Sequence, residues 1–170
     1  MPGLTPHARA GLRSALRHAS GDLLAYFERR VHVREDAADL LSETMLQAWR
    51  RRDALPDDAT RQRMWLFTIA ANVLANHQRS RRRRSALADR LRDHLSSAPA
   101  GPDLAETHAV RDAVLRLHAA QRELVMLVHW DGFTIVEAAE LLGLNPSTAR
   151  GRYSAARQAL KAALAASARL

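Results

Sequence analysis

A chain of 170 residues, 47% hydrophobic, is long enough for one or two small domains with real cores, and its clustered net charge of +8 favours a polyanionic partner. The absence of cysteine excludes disulfides, thiolate chemistry and Cys-based zinc sites. No apolar run reaches the roughly 18 residues of a membrane span and the N-terminus lacks an unbroken apolar leader, so a cytoplasmic protein without membrane insertion is expected.

Ala, Leu and Arg dominate, and no run alternates with a period of two, so an all-α fold is expected. Residues 1–20 carry Pro2, Gly3 and Pro6 and read as a loosely ordered lead-in with at most a short helix. Asp22 then caps a helix with Leu23, Leu24, Phe27 and Val31 on its apolar face. A second helix, from Arg34 to Arg51, places Ala38, Leu41, Met45, Ala48 and Trp49 on one side. Residues from Asp53 to Arg61, with Pro56, Asp57 and Asp58, read as a loop. A third helix, from Arg63 to about Arg83, buries Leu66, Ile69, Ala70, Val73 and Leu74 and ends in five arginines among the six residues from Arg79 to Arg84. The stretch from Ser96 to Pro102 is a small-residue and Pro/Gly linker. The expected organisation is a lead-in over 1–20, a helical domain over 21–84, a linker over 85–109 and a second domain over 110–170.

In the second domain, residues from Val110 to Leu117 and from Glu123 to His129 form supporting helices. Thr134 followed three residues later by Glu137 is a capping box that opens a helix from Ile135 to Leu142. Gly143 stands where a left-handed stop is needed, and Asn145 with Pro146 restarts a helix as N-cap and first helical residue. Two short helices joined by a tight turn are the frame that places a second helix in a major groove. From Asn145 to Leu170 there is no Asp or Glu, while Arg150, Arg152, Arg157, Lys161 and Arg169 are basic, as a helix facing phosphates should be. Ala149, Tyr153, Ala156 and Leu160 are its buried seam, which turns Ser147, Thr148, Arg150, Gly151, Ser154 and Arg157 outward.

Nothing points to catalysis. There is no Gly-rich phosphate loop and no metalloprotease or nucleophile-elbow motif, and no two of the eight histidines share the i, i+4 spacing of a helical metal site. No enzyme activity, cofactor or metal is therefore expected. Asp39, Glu43 and Gln47 recur every four residues off the apolar stripe, which suits either an ordinary solvated face or an acidic protein-contact face. Basic residues at a helix C-terminus complement its dipole, but five arginines exceed what a dipole needs, and phosphate contact accounts for them better.

Residues from Ala38 to Trp49, from Trp65 to Asn72 with the arginine run, and from Gly132 to Arg152 resemble regions 2.2, 2.3–2.4 and 4.2 of bacterial extracytoplasmic-function (ECF) sigma factors of the sigma-70 family. The resemblance spans about Leu23 to Leu164. It implies two small helical domains joined by a flexible linker, and a factor that binds core RNA polymerase and directs promoter-specific initiation. Domain 2 would dock on the clamp helices of the largest polymerase subunit through Asp39, Glu43 and Gln47, and domain 4 would lie at the flap region. The −10 element would be captured and melted by the loop of about Leu55 to Arg63 (Asp57, Asp58, Thr60, Arg61) and by Asn72, Asn76, Arg79, Arg81, Arg82 and Arg83. The −35 element would be read by Ser147, Thr148, Arg150, Gly151, Arg152, Ser154 and Arg157. An anti-sigma protein is a further implied partner.

Three departures stand out against the family pattern. Ser42 occupies a position where Gln is common, Thr68 and Ala71 stand where Arg is frequent, and Gly151 replaces a hydroxyl residue. A linker of about 25 residues from Ser85 reaches roughly 80 Å when extended, enough for the roughly 70 Å of two DNA turns. Two other classes remain open to the sequence: a helix-turn-helix regulator acting without polymerase, though no heptad seam or ligand pocket is visible, and a helical adaptor whose basic face is incidental.

Overall fold

The computed structural model describes the backbone of residues 6–89 and 105–167, with side-chain environments over 11–84 and 109–166. The chain divides into two compact units, Met1–Leu95 and Ser96–Leu170. Among the described residues there are seven α-helices and no strand: α1 (Pro6–Glu28), α2 (Arg34–Arg50), α3 (Ala59–Asp89), α4 (Ala105–Arg116), α5 (Ala119–His129), α6 (Ile135–Leu141) and α7 (Pro146–Ser167), with a single 3-10 turn at Arg52–Ala54.

The first unit is a three-helix bundle, and its first helix departs from expectation. Over the described part of the expected lead-in the chain is helical: α1 runs unbroken from Pro6 through the position of Asp22. Leu12, Ala15, Ala19, Leu23, Tyr26 and Phe27 form one continuous buried stripe at helical spacing, which outweighs the roughly 1 kcal/mol that Gly21 costs a helix interior. Asp22 is not a cap. It sits mid-helix and pairs with Arg63 at 3.3 Å, tying α1 to α3. The Tyr26 ring stands edge-on to Phe27 and to Phe67 at centroid distances of 5.3 and 5.4 Å, with the Arg30 guanidinium 3.8 Å above it.

The apolar stripe of α2 also sits one position away from the expected one. Ala37, Leu40, Thr44 and Ala48 are buried, Leu41, Met45 and Trp49 are half-buried, and Ala38 is exposed. This helix packs against both α1 and α3, so three of its four buried residues, Ala37, Thr44 and Ala48, are small and allow close approach. Thr44 can lie there because its hydroxyl donates to the Leu40 carbonyl at 2.7 Å.

Helix α3 is longer than expected at both ends. Asp58 is its N-cap rather than a loop residue, its carboxylate accepting from the Arg61 amide at 2.9 Å. At the other end the arginines do not stop the helix, which continues to Asp89, because Arg is a good helix former and no Gly or Pro intervenes. The five predicted core residues are buried, and Phe67 joins them. The edges of the expected linker, 85–89 and 105–109, belong to α3 and α4, while Ser96–Pro102 lies outside the described residues.

In the second unit α4, α5 and α6 surround α7. Val114, Leu117, Val125, Met126 and Ala156 form the core, with Tyr153 and Leu160 packed against it. The tip of Arg122 donates to the carbonyls of Leu115 and Leu117 at 2.9 and 3.1 Å, closing the end of α4 onto α5.

Candidate polymerase and promoter-DNA interfaces

The helix-turn-helix is built as its sequence requires. Thr134 accepts from the Glu137 amide at 3.2 Å, and the Glu137 carboxylate accepts from the Thr134 amide at 2.7 Å, completing the capping box. Gly143 adopts φ +63, the left-handed conformation that lets the chain leave α6 without a Cβ clash. Asn145 then caps α7, its side-chain oxygen accepting from the Ser147 amide at 2.9 Å and from the Ser147 hydroxyl at 2.8 Å.

All four seam residues of α7 face inward: Ala149 and Ala156 are fully buried, Tyr153 and Leu160 half-buried. Tyr153 is further held by His129, with Oη 2.8 Å from Nε2 and the rings stacked at 5.9 Å. Ser147, Thr148, Arg150, Gly151, Arg152, Ser154 and Arg157 are all exposed. At about 100° per residue, Arg150, Arg157 and Lys161 lie along one margin of the outward side and Arg152 along the other. Arg169 lies outside the described residues. Gly151 has no positive φ and an added Cβ would meet nothing within 4 Å, so neither backbone nor packing demands a glycine that costs the helix about 1 kcal/mol.

On α3 the predicted −10 residues separate by position. Asp57 is exposed in the short loop, Asp58 is engaged as the cap, and Thr60 and Arg61 belong to the first helical turn instead of the loop. The loop is braced by Gln62, whose amide donates to the Pro56 carbonyl at 2.8 Å. Further along, Asn72, Asn76, Arg79, Arg82 and Arg83 share one exposed face opposite the buried stripe, and Arg79 donates to Asn76 Oδ1. Arg81 and Arg84 fall on the continuation of the stripe's own side and are exposed there. Because α3 extends to Asp89, the arginine run lies before the last turn, where the dipole has little effect.

On α2, Asp39 and Glu43 are exposed, and Gln47 is half-buried with its amide donating to Glu43 Oε1 at 3.0 Å. Sequence reasoning missed Leu46. It is 44% exposed and stands near the centre of the outward side, beside Asp39 and Glu43. With the stripe expected one residue out of register, this leucine at helical spacing drew no attention; an apolar side chain on a charged face is the signal that could have found it.

Among the described residues no group of His, Asp or Glu could hold a metal ion, and no helix is long and apolar enough to cross a membrane.

Comparison with known proteins agrees with this geometry. Residues 16–84 match the family model "Sigma-70 region 2", and residues 107–160 match "Sigma-70, region 4". The ECF RNA polymerase sigma factor SigL of Mycobacterium tuberculosis is 30% identical over 165 residues, covering 92% of this chain and 91% of SigL. Among solved structures, the sigma factor RpoE of Bartonella quintana, in complex with the anti-sigma factor NepR, superposes with a TM-score of 0.70 at 26% identity, covering 94% of this chain and 98% of that one. CnrH, in complex with the cytosolic domain of CnrY, superposes with a TM-score of 0.66 at 26% identity, covering 93% and 90%. The chain therefore belongs to the ECF sigma factors of the sigma-70 family, the RNA polymerase subunits that direct promoter-specific transcription initiation.

Proposed function

We propose that the division of labour within this sigma factor follows its three exposed helix faces. The outward side of α2, with Asp39, Glu43, Gln47 and Leu46, docks on the clamp helices of the largest polymerase subunit, the leucine supplying the desolvated centre and the carboxylates the orientation. The loop and first turn around Asp57, Asp58, Thr60 and Arg61 take the unstacked base of the −10 element. Asn72, Asn76 and Arg79 hold the adjoining strand, and Arg82 and Arg83 on the same face neutralise its phosphates, while Arg81 on the other side adds only to the charge density of the run. Asp58, already used as a cap, contributes by fixing the loop rather than by offering a free acceptor. Helix α7 reads the −35 element in the major groove while domain 4 lies at the polymerase flap.

The observation that carries this reading is α7. Its seven predicted DNA residues are all exposed on a helix without one acidic residue, above a seam buried as the pattern requires. Unstacking a base costs a few kcal/mol, so the free factor binds promoters weakly and opens them only with polymerase. A regulator acting without polymerase is not favoured, since the first unit would then lack a purpose for its outward α2 face. RpoE was solved in complex with the anti-sigma factor NepR and CnrH in complex with the cytosolic domain of CnrY, which supports an anti-sigma partner here. The factor acts on nucleoid DNA and performs no chemistry of its own.

The test is reconstitution. Adding this chain to core polymerase should yield transcripts from a discrete promoter class recovered from a genomic template library. Sequence-specific duplex binding by the chain alone, unchanged by core, would overturn the assignment in favour of a free-standing regulator.

A further inference from the structure

We infer that Gly151 sets the depth at which α7 enters the −35 groove, and is thereby a specificity-determining residue of this factor; the inference rests on α7 being the recognition helix. A glycine inside a helix needs a physical reason, and this one has none within the protein. Its φ is not in the left-handed region, and a Cβ built on it touches nothing within 4 Å. Gly21 shares that freedom, so what singles out Gly151 is its place on α7.

Advancing about 100° per residue, position 151 falls directly opposite the seam of Ala149, Tyr153, Ala156 and Leu160, at the middle of the side presented to a partner. Its neighbours on that line are short or uncharged: Ser147, Ser154, Ala155 and Gln158, all exposed. The long cations stand at the margins, Arg150, Arg157 and Lys161 on one side and Arg152 on the other. A helix bare along its middle and cationic along both edges fits a major groove, where base edges form the floor and phosphates the two walls. With no side chain at 151 the backbone can approach the floor, and the Ser154 hydroxyl and Gln158 amide come within reach of base edges. A side chain there would lift the helix away from the bases while leaving the marginal cations their phosphates. Sequence-specific binding would fall, and binding to unrelated DNA would not.

The test uses the full chain assembled with core polymerase. The probes are a −35 duplex enriched from a randomised library by the wild-type holoenzyme and an unrelated duplex of equal length. Gly151→Ala and Gly151→Leu are compared with Gly21→Ala, a helix-interior glycine in the other unit whose Cβ would also meet nothing within 4 Å. All three should melt a few degrees above wild type. Gly21→Ala should bind both duplexes as wild type does. Gly151→Ala should bind the enriched duplex several-fold more weakly and Gly151→Leu at least about tenfold more weakly, with the unrelated duplex bound as before. Full preference for the enriched duplex by both Gly151 variants would overturn the inference. In that case an Arg150→Ala, Arg157→Ala double variant that still loses duplex binding shows the recognition-helix assignment standing. If the double variant also binds as wild type, or the wild type enriches no duplex, that assignment fails and the inference with it.

Discussion

The arginine run on α3 allows a test that separates face from charge. Removing any two arginines lowers net charge equally, from +8 to +6 by subtraction of two. Only Arg82 and Arg83 share the face of Asn72, Asn76 and Arg79, whereas Arg81 and Arg84 point to the other side of the helix. If the promoter strand lies along the Asn72 face, Arg82→Ala with Arg83→Ala removes two phosphate contacts. Arg81→Ala with Arg84→Ala removes none directly. Each contact to a single strand adds about 0.7 to the slope of log affinity against log salt, so the first pair should flatten it by about 1.4. Over a fourfold rise in salt, wild type would then lose about sevenfold more affinity than the Arg82/Arg83 variant. The second pair should leave the slope within a few tenths of wild type. The assay is holoenzyme binding to a pre-opened promoter fragment, measured by fluorescence anisotropy across a salt series. Equal flattening by both pairs would show that only the charge density of the run matters, and that α3 presents no particular face to DNA.

Glu43→Arg should abolish holoenzyme formation while circular dichroism stays unchanged, because reversing a charge in a desolvated contact costs several kcal/mol and the side chain is exposed in the free chain. Leu46→Ala should weaken core binding about tenfold with no loss of thermal stability, and wild-type affinity for either variant would remove α2 from the docking surface. Arg150, the marginal cation nearest the start of α7, where recognition helices meet base edges, reaches a base as well as the wall, so Arg150→Ala should cost about 1–3 kcal/mol at the preferred −35 element and relax discrimination there. Arg157→Ala, on the same margin of α7 but two turns further from its start, should weaken all duplexes evenly; a one-base-pair-at-a-time binding series distinguishes the two. Thr134→Ala removes the hydroxyl half of the capping box and should lower stability by about 1 kcal/mol, read by thermal melting of the full chain, with −35 binding reduced in step.

Much of the second unit could be read directly from residues, for a local reason. The capping box at Thr134, the stop at Gly143 and the restart at Asn145 and Pro146 each depend on atoms within a few residues, and the structure realises all of them. The seam of α7 was equally legible, since one helix packed against one core obeys a single period. The core of α3 followed the same rule. In the first unit the deciding contacts are distant in sequence. Whether Ser20, Gly21 and Asp22 end a helix or lie inside one is settled by Leu12, Ala15 and Ala19 packing in the same bundle as Leu23 and Phe27, so tertiary burial overrides a weak local break. The register of α2 was hidden because the helix serves two neighbours, so its most buried positions are small residues, Ala37, Thr44 and Ala48, rather than the large ones that a periodicity count weighs most. That offset is also why Leu46 emerged only in three dimensions. Composition and motif sufficed for fold class and family, because charge and capping are written into single residues. Which side of α2 and α3 meets solvent depends on how three helices share one core, and only the folded unit decides that.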